Sequence, residues 1–113
     1  MDELAARECS ACRVDAPQVT PSQLDELLAQ LPQWQWVEVD GIKQLTRIYA
    51  CENFLAAMAL AEKVAGLAEQ ENHHPALLVA WGSLTVTWWT HKIKGLHEND
   101  FVMAARTERL LTP

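Results

Sequence analysis

Asp40-Gly41 lies between two segments of alternating polarity, and this feature sets the tightest limit on the fold. Trp34-Gln35-Trp36-Val37-Glu38-Val39 precedes it, and Ile42 to Tyr49 follows. A two-residue Asp-Gly connection tolerates positive φ at both positions and matches the twist of paired strands, so it predicts a type I′ β-hairpin. Trp34 and Trp36 share a face at period two, a packing position in a core or an interface. A second hairpin is predicted from Leu77 to Trp81 and Leu84 to His91, joined at Gly82-Ser83. With that loop Trp81 faces Leu84, Val79 faces Val86 and Leu77 faces Trp88. His74 then arrives opposite His91, with opposed Cβ atoms about 5 Å apart.

Helical segments separate the hairpins. Thr20-Pro21-Ser22 is an N-cap signal ahead of Leu24, Leu27, Leu28 and Leu31, and Pro32 closes that helix. From Glu52 to Asn72, apolar residues (Phe54, Ala57, Met58, Ala61, Val64, Ala65 and Ala68) recur at three- and four-residue steps. Pro75 stops the helix continuing. A last helix, from about Glu98 to Leu111, carries acids in its first turn and Arg106 and Arg109 near its end, as the helix dipole favours. The order is α-β-β-α-β-β-α. It predicts an α+β two-layer domain, with a four-stranded antiparallel sheet and three helices on one face. Residues 1–19 read as a flexible leader and 20–113 as a single domain. The uncovered face or an edge strand is a place for self-association.

Bulk properties exclude several function classes. The 113 residues suffice for one modest core, and half of them are hydrophobic. A formal charge of −6, with nine scattered basic residues, argues against a nucleic-acid partner. No apolar run reaches the roughly 20 residues needed to span a bilayer, and Met1-Asp2-Glu3 does not open a signal peptide. A cytoplasmic protein without membrane attachment is expected. Cys9, Cys12 and Cys51 suit a reducing compartment. Cys9-x-x-Cys12 supplies half a zinc site, and a Pro-containing stretch follows where a redox motif wants a helix.

Chemistry concentrates between Glu69 and Asp100, where His73, His74 and His91 are predicted to gather at one end of the second hairpin. His91 shares its strand face with Thr85, Thr87 and Trp89 rather than with the aliphatic residues. Two other readings of the histidine pair are a helix C-terminus satisfying carbonyls and dipole, and a metal site. The metal reading is weakened because adjacent residues of an extended segment point to different faces, and because no carboxylate stands at the usual short spacing. Glu69 reads as a solvated helix residue, Asp100 as a first-turn acid and His97 as surface.

Glu69-x-x-x-His73-His74-Pro75, followed by Trp81, Thr90-His91, Gly95-Leu96 and Asp100, closely resembles the signature of the pterin-4a-carbinolamine dehydratases. The Asp-Gly hairpin and the helix from Phe54 to Ala68 extend that resemblance over about residues 20–110. It implies a four-stranded sheet with three helices, and a homodimer or homotetramer. The implied reaction is the dehydration of 4a-hydroxytetrahydropterin to quinonoid dihydropterin, which recycles tetrahydropterin for aromatic amino-acid hydroxylases. Neither metal nor redox cofactor is implied. By the motif, His73 and His91 correspond to the acid-base histidines and His74 to the one that holds the pterin, with Asn72, Pro75 and Thr90 beside them. Trp81 and Trp89 are candidates to stack on the bicyclic ring, and Asp100 to orient His91. His97 stands where many relatives carry Ser or Thr as a helix cap, and Asn72 where a carboxylate often precedes the pair. Some animal relatives also bind a transcription factor, a role without support in this sequence. The alternative from another class is a binding or stabilising module that keeps the motif but serves a partner protein without turnover.

Overall fold

The computed structural model describes residues 2–6 and 18–112. Its elements are α1 (Asp2–Ala6), α2 (Pro21–Leu28), β1 (Gln35–Val39), β2 (Ile42–Ala50), α3 (Phe54–Glu71), β3 (Ala76–Ala80), β4 (Ser83–Trp88), a 3₁₀ turn (His91–Ile93) and α4 (Glu98–Leu111). The four strands form one antiparallel sheet in the order β1-β2-β4-β3. This is the α+β architecture that the sequence predicts, with one face of the sheet under helices.

Local chemistry explains the boundaries. Thr20 and Gln23 cap α2 reciprocally, through Gln23 N–H to Thr20 Oγ1 at 3.2 Å and Thr20 N–H to Gln23 Oε1 at 2.8 Å. Asn53 caps α3 by accepting from the Ala56 N–H at 2.8 Å. Asp40 (φ 52°) and Gly41 (φ 79°) both take positive φ, and Val39 pairs with Ile42. The predicted type I′ hairpin is therefore present, although Trp34 belongs to the preceding turn rather than to β1.

The second hairpin differs from expectation. Ala80 pairs with Ser83, so the loop is Trp81-Gly82 and not Gly82-Ser83. Gly82, at φ 82°, takes the second loop position, where a positive φ is needed, and Trp81 supplies the first. Val79 consequently faces Leu84, and Leu77 faces Val86. Each pairing moves by two residues, which leaves side-chain parity intact. Leu84, Val86 and Trp88 all lie in the core with Leu45 and Tyr49 from β2.

Leu24, Val64, Ala68, Phe101, Val102 and Met103 meet those strand residues from the helices. Alanines at 57, 61 and 68 let α3 lie close on the sheet. Residues 2–6 belong to the stretch expected to form a leader, but they make a short helix whose Leu4 is fully buried. This helix packs on α4, and Arg106 Nε donates to the Ala5 carbonyl at 2.9 Å. Cys9, Cys12 and the rest of the expected leader from 7 to 17 lie outside the described residues. Among the described residues no helix is long and apolar enough to cross a membrane.

Candidate active site

The end of α3 sets the histidine pair. Asn72 adopts the left-handed conformation (φ 52°, ψ 40°), and the amides of both Asn72 and His73 reach the Ala68 carbonyl. Asn tolerates that conformation better than most residues and so closes the helix while reversing the chain. His73 then turns inward, whereas Asn72 and His74 are exposed. Pro75 leads directly into β3.

His73 is only 4% exposed. Its ring stacks on Trp88, with centroids 5.6 Å apart and planes within 3°, and its Nε2 lies 2.7 Å from Asp100 Oδ1. Asp100 is completely buried at the start of α4. Its Oδ2 accepts from the Thr90 hydroxyl at 2.8 Å and from the His97 N–H at 2.9 Å. One carboxylate thus ties together the end of α3, the segment after β4 and the cap of α4. The sequence suggested that Asp100 orients His91; the residue it contacts is His73. Because a carboxylate only accepts, the bond fixes the proton on Nε2 of a neutral His73 ring.

His91 does not continue β4. Thr90 forms an isolated bridge with Gly95, and His91 opens the 3₁₀ turn between them. Its exposed ring stacks on Trp89 at 4.4 Å, and Nε2–H donates to the carbonyl of His74 at 3.2 Å. In the neutral ring this leaves the lone pair on Nδ1. His74 presents an exposed ring whose Nε2 meets the Glu69 carboxylate. Glu69, expected to be merely solvated, therefore pairs with His74 across the end of α3. Its five-residue separation from His74 gave no helical-face signal, because the left-handed Asn72 intervenes.

The three histidines stand at one end of the hairpin near Asn72, Pro75, Thr90, Trp89 and Asp100: the His91 ring reaches the His74 backbone, the His74 ring turns to Glu69, and the His73 ring is buried between Trp88 and Asp100. Trp81 is not among them. It is 76% exposed in the loop at the hairpin's other end, about 20 Å away at the rise of β3. His97 serves α4 as its N-cap, with Nδ1 accepting from the Asn99 N–H at 3.0 Å. Among the described residues, no group of three His, Cys, Asp or Glu side chains is arranged to hold a metal ion.

Fold and site define a small α+β domain with a histidine-lined surface backed by a buried carboxylate. Residues 17–110 match the family described as pterin 4 alpha carbinolamine dehydratase. The chain is 54% identical over 110 residues to a Marinobacter nauticus protein provisionally named as a pterin-4-alpha-carbinolamine dehydratase; the match covers 97% of this chain and 99% of that one. It is also similar to a solved Brucella melitensis structure described as a transcriptional coactivator/pterin dehydratase, with a TM-score of 0.73 and 32% identity over 83% of this chain and 98% of the other. The chain belongs to the pterin 4 alpha carbinolamine dehydratase family.

Proposed function

We propose that the protein dehydrates 4a-hydroxytetrahydropterin to quinonoid dihydropterin, a step in recycling tetrahydrobiopterin for aromatic amino-acid hydroxylases. The reaction breaks the bond from C4a to the hydroxyl oxygen. It requires a proton on the departing hydroxyl and loss of one from the neighbouring ring nitrogen, so that water leaves and no oxidation occurs. Imidazoles, with an ordinary pKa near 6.5, perform both transfers at neutral pH. His91 removes the ring-nitrogen proton through Nδ1. His73 acts as the imidazolium, giving its Nδ1 proton to the leaving hydroxyl and ending as the neutral ring that keeps its proton on Nε2 towards Asp100, whose carboxylate compensates the charge before transfer. His74, steered by Glu69, holds the pterin, while Trp89 and the bound His91 ring offer a flat surface beside it.

The observation that carries this reading is the convergence of the family's three motif histidines at one hairpin end, with His91 bonded to the His74 backbone and His73 bonded to Asp100. One positioned acid or base contributes roughly 10² to 10⁴ in rate, which suffices for a reaction that also proceeds unaided. Stopped-flow measurement with chemically generated carbinolamine tests it. Dehydration well above the buffer rate is expected, and a rate equal to buffer overturns the proposal. That second outcome favours the alternative of a non-catalytic module for a partner protein, a role consistent with the coactivator description of the Brucella structure. We further propose a homodimer or homotetramer. Ile48 and Leu78 flank Thr85 on the open sheet face and are 63% and 64% exposed, apolar surface of the kind that association buries. Light scattering reads the assembly directly.

A further inference from the structure

Gln18 and Val19 cross the turn that carries His91. The Val19 N–H donates to the Leu96 carbonyl at 2.8 Å, and Gln18 Nε2 donates to the Ile93 carbonyl at 3.0 Å. Short-range bonds close the turn on itself as well. Thr90 N–H reaches Gly95 O at 2.9 Å, Gly95 N–H reaches Thr90 O at 3.4 Å, and Lys94 N–H reaches His91 O at 3.3 Å. Lys94 sits at φ 51°, in the left-handed region that costs an L-residue energy and persists where neighbours enforce it.

The Gln18 amide lies directly on Gly95. A Cβ at position 95 would be 2.7 Å from Gln18 Oε1, 2.8 Å from Cδ and 3.1 Å from Nε2. Gly95 has no positive φ, and what a Cβ there would meet is the end of the exposed Gln18 side chain, so an alanine at 95 displaces the amide without a demand on the backbone. The same turn is tied at its other end to Asp100 through the Thr90 hydroxyl. The turn that carries His91 is thus bonded to Gln18 and Val19 on one side and to the buried Asp100 on the other.

We propose that Gln18 is a positioning residue for His91: its amide, seated on Gly95 and bonded to Ile93, locks the 91–96 turn so that the His91 ring keeps its place on the His74 carbonyl and the Trp89 face. The kinetic consequence rests on the dehydratase reading above, whereas the geometric consequence does not. The interaction can be broken from either side. Gln18→Glu keeps the shape but cannot donate, Gln18→Ala removes the amide, and Gly95→Ala displaces it.

The test is stopped-flow dehydration together with the His91 ring resonances by NMR, in the full chain, for these three variants and for the double variant Gln18→Ala/Gly95→Ala. Each single change is expected to lower kcat about fivefold, the scale of one hydrogen bond, and to shift the His91 ring signals. The double variant is expected to be no worse than the poorer single one, since all remove the same contact, whereas independent effects would multiply to about 25-fold. Unmoved His91 signals in Gln18→Glu, or a multiplicative double variant, overturn the proposal. If Gly95→Ala does not fold, the two Gln18 variants decide alone. Shifted His91 signals in a protein that does not dehydrate at all would retire the enzyme reading and leave the strap standing.

Discussion

His73 Nε2 lies 2.7 Å from Asp100 Oδ1, although 27 residues separate them, and both side chains are buried. The contact joins the end of α3 to the first turn of α4. Asp100→Asn keeps the shape but must turn an NH₂ either towards His73 Nε2 or towards the Thr90 hydroxyl and the His97 N–H together. A loss of about 3 kcal/mol in urea denaturation is expected. A loss below about 1 kcal/mol would show that the carboxylate is not the tie described here.

Tyr49 hands its hydroxyl to Glu108 Oε1 at 2.6 Å; the same oxygen accepts from Trp34 Nε1 at 3.0 Å and is paired with Arg47. Burial, and then the Glu108 bond and charge, push the phenol well above its ordinary value, with Arg47 acting weakly the other way. The folded state therefore favours the protonated phenol. Its contribution is fully present below the unfolded value near 10 and is lost as pH rises beyond it, by about 1.4 kcal/mol per unit. Tyr49 is the only tyrosine, so phenolate absorbance follows it directly. Between pH 9 and about 11.5, wild type should lose stability faster than Tyr49→Phe. Parallel curves would contradict this.

Glu69 and His74 are both exposed, and such pairs contribute little to stability. Glu69→Ala should change the unfolding free energy by less than about 0.5 kcal/mol yet raise KM severalfold, because the His74 ring loses its guide. An unchanged KM would return Glu69 to the solvated role that its sequence position suggested.

The sequence disclosed elements wherever local chemistry decides structure. Asp40-Gly41 was legible because only a primed turn suits that pair between alternating strands, and Thr20-Pro21 because a capping hydroxyl with a proline behind it starts a helix. Face assignments along β4 survived a misplaced loop, since the two-residue change in pairing preserves parity. What stayed hidden depends on tertiary context. Gly82 suits either loop position, so local residues did not distinguish Trp81-Gly82 from Gly82-Ser83, and Trp81 was assigned to a site it does not reach. The bridge from Thr90 to Gly95 turns His91 out of the strand, yet Thr90-His91 reads as a continuing strand. Leu4 stands in a stretch too short to show periodicity, and its burial follows from the face of α4 against which it packs.

The most direct test of the central claim compares His91→Ala with wild type in the stopped-flow carbinolamine assay, with thermal unfolding measured alongside. His91 is exposed, so its loss should cost no more than about 1 kcal/mol in stability. Turnover should fall at least about tenfold, within the range of one positioned acid-base group. Turnover that survives at the wild-type rate in a folded variant would contradict the account.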